Sequence, residues 1–222
     1  MMTSGFSAEW EQQFAEGRHH SLWPWSDLVG LATRFLSGAG RLRVLELGCG
    51  VGANIGFFSA LGADYFGIEG SATAVAATRR RFPGLAENIV HGDFTNEIPF
   101  EGMFDAIVDR SALTHNSTAD IVRVVSVAWE RLRPGAPYIG VDWFSKNHPC
   151  AGEGTAVDNY TRTDFEDGPF AGVGRVHFSD EAHLREVFGA FALKVLDEKI
   201  LTRSLPSRAI INATWNFVAM KA

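Results

Sequence analysis

The sequence predicts an α/β fold: a mostly parallel sheet with helices on both faces. Three observations predict it. Strand-like and helix-like segments alternate with short connections, as in successive strand–helix–strand units. The strand segments are nearly continuous apolar runs, as burial on both faces requires. The glycine-rich stretch Gly48-Cys49-Gly50-Val51-Gly52 lies where the first strand gives way to a helix. A length of 222 residues suits one domain with a full core.

Residues 1–25 are aromatic-rich and read as irregular. A helix is expected over 26–36, with Leu28, Leu31, Ala32, Phe35 and Leu36 on one face. Ser26 or Asp27 would cap its start, and Gly38 and Gly40 would end it. Strand Arg43–Leu47 follows, then helix 54–61, stopped at Gly62. Next come strand 65–68 and helix 71–82, capped by Ser71, with Ala72, Val75, Ala76 and Phe82 turned inward. Short strands are expected at 88–90 and 104–108. Ser117 and Asp120 form a capping-box pattern opening helix 117–132, whose Ile121, Val124, Val125, Ala128 and Leu132 repeat at helical spacing. A fifth strand covers 138–143. Residues 144–178 are polar, Gly-rich and without period, a loop long enough to suggest function. Ser179 should cap a helix over 180–191. The runs 192–200 and 213–220, joined without a helix, should pair antiparallel.

Composition excludes several classes. The net charge is −6, and Arg79-Arg80-Arg81 suits a helix C-terminus facing its own dipole, so nucleic-acid binding is disfavoured. No apolar run approaches the roughly 18 residues of a spanning helix. Residues 1–25 lack a basic segment leading into an apolar one, so a cytoplasmic protein is expected. Cys49 and Cys150 do not form a C-x-x-C pair, and no two of the seven histidines stand four residues apart, so neither disulfide nor metal is expected. The sequons at Asn116 and Asn212 are then chance matches.

The chemistry centres on Val44-Leu45-Glu46-Leu47-Gly48-Cys49-Gly50-Val51-Gly52-Ala53-Asn54. Its glycines allow a tight turn and close approach to a ligand, and the following helix start offers N–H groups to a carboxylate. Glu69, next to Gly70, ends the second strand and can accept both hydroxyls of a ribose. Asp93, in His91-Gly92-Asp93-Phe94, can accept from an adenine amino group, with Phe94 against the ring. Asp109 and Arg110 end the fourth strand. Polar groups at adjacent carboxyl ends mark the crevice where open α/β sheets bind ligands.

These motifs, with Leu132-Arg133-Pro134-Gly135, resemble in order and spacing those of class I, Rossmann-like S-adenosylmethionine-dependent methyltransferases, over about residues 26–143. The resemblance implies a seven-stranded sheet with an antiparallel C-terminal strand. It implies S-adenosyl-L-methionine as cofactor and S-adenosyl-L-homocysteine as product. Glu46, Gly48, Cys49, Gly50, Gly52 and Asn54 would hold the methionine part, Glu69 and Gly70 the ribose, and Gly92, Asp93 and Phe94 the adenine. Asp109 and Arg110 would lie near the amino-acid end and the acceptor. The stretch from Val108 to His115 and the tryptophans of the N-terminus look most like small-molecule types, including those that tailor polysaccharides.

A general base is needed only for a hydroxyl or protonated amine acceptor. The candidates are His115, Asp142 and His177, each with a structural alternative: helix initiation, a satisfied strand end, and a structural histidine before the last helix. Trp10, Trp23 and Trp25 belong either to a lid or to an arm packed on the sheet, and His19 and His20 lie between them. Tyr160 and Arg162, in the 144–178 insertion on the acceptor side, either recognise the acceptor or lie at the surface. Two other functions fit the fold. A nicotinamide-dependent oxidoreductase could use Gly48, Gly50, Ala53 and Glu69, but Asp93 and Asp109 would oppose a pyrophosphate. A cofactor-binding scaffold without catalysis is the other. The expected partner is a small molecule; monomer and homodimer both remain open.

Overall fold

The computed structural model describes residues 5–36 and 41–222. The expected helix stops at Gly38 and Gly40 lie outside the described residues. The core is a seven-stranded sheet. Its strands are β1 (Arg43–Leu47), β2 (Asp64–Glu69), β3 (Ile89–His91), β4 (Ala106–Arg110), β5 (Pro137–Phe144), β9 (Phe191–Arg203) and β10 (Ala209–Lys221). Their order is β3-β2-β1-β4-β5-β10-β9. The first five run parallel, and β10 is antiparallel to both neighbours. This is the seven-stranded, Rossmann-like sheet with an antiparallel C-terminal strand.

Helices cover both faces. Val44, Val108, Ile139 and Val141 pack beneath α2 (Ser26–Phe35), α3 (Ile55–Ala60) and α4 (Ala72–Arg81). Leu45, Leu47, Ile107 and Tyr138 face α5 (Thr118–Arg131) and α6 (Glu181–Val187). The period-two alternation of each strand feeds both layers. Ile121, Val124, Val125 and Ala128 of α5 are buried, each larger side chain contributing about 1.5–3 kcal/mol. The Ser117 hydroxyl accepts from Asp120 N–H, a cap that contributes about 1 kcal/mol.

Several local expectations are corrected. Residues 9–15 form a helix, α1 (Glu9–Ala15); its apolar Trp10 and Phe14 are too few to show a period, and docking holds it. Trp25, not Ser26 or Asp27, is the N-cap of α2, without a side-chain cap. Ala74 and Thr78 turn inward on α4 while Ala72 and Ala76 are exposed. Phe104 only bridges to Leu132, so β4 begins at Ala106. Asp180, not Ser179, caps α6; the Ser179 carbonyl accepts from Trp215.

The stretch 144–178 is ordered rather than structureless. It carries a small antiparallel sheet of β6 (Thr155–Ala156), β7 (Thr161–Thr163) and β8 (Val176–His177). Its own core contains Cys150, Phe165, Phe170, Val173, Val176 and Phe178. These residues are unevenly spaced, so no periodicity announces them. Strands β9 and β10 pair as expected but run past the sheet as a two-stranded ribbon. Among the described residues no helix is long and apolar enough to cross a membrane.

Candidate active site

Strand order reverses between β1 and β4, and the sheet opens there. A cavity of about 570 Å³ lies at the carboxyl ends of β1 to β5, within the range of small-molecule sites. Glu46, Gly48, Cys49, Gly50, Asn54, Glu69, Gly70, Gly92, Asp93, Phe94, Arg110, His115 and Asp142 all line it. Three expected residues do not. Gly52 turns away: a Cβ there would meet Ile55, Thr78 and Phe82, so this glycine serves helix packing. Asp109 is fully buried. It accepts from Ala112 N–H and Trp143 Nε1–H, and so shapes the turn after β4 without reaching the cavity. His177 is buried against Thr161 and His183, and burial holds its pKa down to about 3. It fastens the insertion to α6 and is not placed to reach an acceptor.

The glycine turn lines one side of the cavity. Gly48 has a φ of 67°, a conformation that costs other residues roughly 1–2 kcal/mol, and a Cβ there would sit 2.3 Å from the Ala112 Cβ. Glu69 accepts from Gly50 N–H at 2.8 Å and Ser71 N–H at 2.9 Å. Each carboxylate oxygen has a second lone pair, so a ribose can still be met. Glu46 accepts from Asn54 at 2.8 Å and Tyr65 at 2.6 Å; burial nevertheless pushes its pKa up to about 7. Burial raises Glu69 as well, and Asp109 to about 7. The glycine turn and the acidic edge, open to the cavity, fit an adenosyl cofactor whose amino-acid end carries an ammonium and a carboxylate. Among the described residues no group of three His, Cys, Asp or Glu side chains is placed to hold a metal.

The N-terminal arm closes one side. Phe6 N–H donates to Asp93 Oδ2 at 2.9 Å, and the Phe6 ring lies where a Gly70 side chain would be. Glu11 accepts from Ser71 and Thr73 at the start of α4. Gln13 donates to Gly172 O and so ties the arm to the insertion. Trp10 meets the His115 ring edge-on, centroids 4.6 Å apart. His115 Nδ1 lies 2.9 Å from the Arg175 carbonyl, which fixes the proton on Nδ1 and leaves the Nε2 lone pair exposed. Burial lowers its pKa to about 4, so the ring is neutral at neutral pH.

Arg110 donates from Nε to Asp142 at 3.0 Å and lies 3.6 Å over the Trp25 ring. The β5–β10 register shifts beside Asp142, whose φ is 56°, a conformation that costs of order 1–3 kcal/mol. Asn216 Oδ1 accepts from Asp142 N–H and holds the bulge that aims the carboxylate at Arg110. Of the histidines in the arm, His19 lines the cavity, and His20 lies 3.1 Å from Phe14 O. Trp23 is exposed. Tyr160 stacks on His183 and Arg162 donates to Gly154 O; neither lines the cavity. Sequence reasoning missed Phe6, Glu11, Ser111, Lys199 and Thr214. Asn212 was noticed only as a sequon. Only the folded chain brings the ribbon beside the cavity.

Residues 44–135 match the family model of a methyltransferase domain. No curated protein matches the sequence. Among solved structures, the chain is similar to an S-adenosylmethionine-dependent methyltransferase from Methanosarcina mazei (17 % identity, TM-score 0.69, 90 % of this chain and 99 % of that one). It is similar to an amino pentose methyltransferase of calicheamicin biosynthesis from Micromonospora echinaspora (18 %, TM-score 0.59, 100 % of both chains). It is also similar to magnesium protoporphyrin IX methyltransferase from Synechocystis PCC 6803 with bound S-adenosylmethionine (15 %, TM-score 0.57, 97 % and 81 %). At these identities the likeness is one of fold.

Proposed function

We propose that this chain, a methyltransferase of the Rossmann-like, S-adenosylmethionine-dependent class by its residues 44–135 and its fold, transfers the methyl group to a small-molecule, sugar-like acceptor. One observation carries the reading. The glycine turn, Glu69 and Gly92–Phe94 share a single cavity with His115, and the N-terminal arm and the 144–178 insertion wall it in. Such an enclosure admits a small acceptor beside the cofactor and excludes a large one. Residues 1–25 act as the lid, and 144–178 as the acceptor side.

The bound cofactor supplies a methyl group already activated on a sulfonium. The chain must align the acceptor in line with it and keep water out. With the cofactor bound, the acceptor oxygen would take the sulfonium methyl in line, and the chain's part is to hold that oxygen and receive its proton. The hydroxyl proton passes to His115 Nε2. Asp142, already engaged by Arg110, positions rather than deprotonates. Glu46, Gly48, Gly50 and Asn54 hold the methionine end, and Glu69 the ribose. The adenine edge falls to Gly92, Asp93 and Phe94. Asp93 Oδ2 is already taken by Phe6 and Asn96, so the arm and the adenine compete for it.

Calorimetric titration with S-adenosylmethionine, S-adenosylhomocysteine and NAD tests the reading. Binding of the first two and not the third is expected. Binding of NAD alone, or of none, refutes it.

A further inference from the structure

One wall of the cavity is built from opposite charges cancelled in pairs, and this bears on the acceptor's chemistry; the inference rests on the methyl-transfer reading above. Arg110 is paired with Asp142. Lys199, on the ribbon, is paired with Asp27. Thr214 stands directly across from Lys199 in the β9–β10 register, and Asn212 lies beside it. All six line the cavity.

The contacts join them into one surface. Trp25, two residues before Asp27, lies under the Arg110 guanidinium. Its backbone N–H donates to Asn54 Oδ1, and Asn54 in turn donates to Glu46. The wall is thus fixed to the glycine turn through a single side chain. Stacking on Trp25 and the Nε bond to Asp142 hold the guanidinium plane. Its Nη groups and Asp142 Oδ1 make no hydrogen bond among the described residues, so donors and an acceptor remain next to each other on a partly exposed edge.

Such a wall discriminates by charge. An anionic acceptor would face Asp142 and Asp27, and a cationic one Arg110 and Lys199. A hydroxyl donates and accepts at once, so it satisfies the carboxylate and the cation together. We infer that the acceptor is a neutral, polyhydroxylated small molecule, with adjacent hydroxyls held by the Arg110–Asp142 pair as its specificity-determining residues. Lys199, Asn212 and Thr214 complete the wall.

The test uses wild-type protein saturated with S-adenosylhomocysteine, probed by saturation-transfer NMR with methyl glucoside, glucuronate and glucosamine. These probes are alike in size and differ in charge. The glucoside should bind at least about fivefold more tightly than either charged probe. Arg110→Gln should weaken it about tenfold. Asp142→Asn should shift preference toward glucuronate. Lys199→Gln, at an exposed side chain paired with Asp27, should shift it toward glucosamine. S-adenosylhomocysteine affinity should stay within about twofold throughout.

Tightest binding of glucuronate or glucosamine by wild type would overturn the inference, as would no sugar binding while S-adenosylhomocysteine binds. Lost S-adenosylhomocysteine affinity in Arg110→Gln would also overturn it, because Arg110 would then serve the cofactor. Failure of wild type to bind S-adenosylhomocysteine would instead refute the methyl-transfer reading beneath it.

Discussion

Glu46→Gln should make this protein more stable at alkaline pH and remove part of its pH dependence. Burial lifts the Glu46 carboxyl from its ordinary 4.5 to about 7, against the opposing bonds from Tyr65 and Asn54. An acid whose folded pKa is raised binds its proton more tightly in the native state. Its contribution is fully present below the unfolded pKa and is lost as pH rises through the folded one. The window therefore runs from 4.5 to about 7, and the displacement corresponds to about 3 kcal/mol. Glutamine imitates the protonated acid. Its oxygen can still accept from Asn54, and its amide can donate to the Tyr65 oxygen, whose own proton then turns away. Urea unfolding followed by circular dichroism at stepped pH measures the difference. Wild type should lose stability across the window. The variant should lose about 3 kcal/mol less and be the more stable of the two near pH 8. Asp109, raised to about 7 by burial as well, keeps its own share in both proteins. The same substitution should weaken S-adenosylhomocysteine binding, because the ionised carboxylate suits the ammonium of the cofactor's amino-acid end. An unchanged pH slope in Glu46→Gln, or lower stability than wild type near pH 8, would refute the reasoning.

Three further outcomes are expected. His115→Gln should lower kcat by about 10²–10⁴-fold with S-adenosylmethionine affinity intact, and the wild-type rate should decline on acidification only near pH 4, the pKa to which burial lowers this ring; a decline centred on the ordinary histidine value would count against it. Gly48→Ala should destabilise the protein by about 2–4 kcal/mol, from the left-handed backbone and the clash with Ala112, and should abolish S-adenosylhomocysteine binding; normal binding in calorimetry would show the turn to be tolerant. Asp93→Ala frees Phe6 N–H and removes the acceptor for Thr95, so limited proteolysis should cut the first 16 residues faster, with S-adenosylhomocysteine binding weakened; unchanged cleavage would mean that the contacts of Glu11, Gln13, Arg175 and Trp10 anchor the arm without Asp93.

Strand–helix alternation, the turn at 48–52 and the acids at strand ends were legible because they obey local rules. A strand buried on both faces must be apolar, and a tight turn against a ligand needs glycine. From these, the fold and the residues at the glycine-turn side of the cavity follow. Residues 9–15 and 144–178 were not legible as structure. Trp10 and Phe14, or Phe165, Phe170 and Phe178, find their partners on distant segments and need keep no period. His177 and Asp109 had the right residue type at a plausible position, yet Thr161 and His183 sealed the first away, and Trp143 with the turn at Ala112 the second. The sequence by itself determined the sheet and the glycine turn, because backbone geometry and burial act over a few residues. The tertiary structure alone decided which acids meet the cavity, which histidine keeps a free nitrogen there, and which charges cancel across its wall. Those outcomes depend on contacts such as Arg110 with Asp142 and Trp25, between residues that only the folded chain brings within reach.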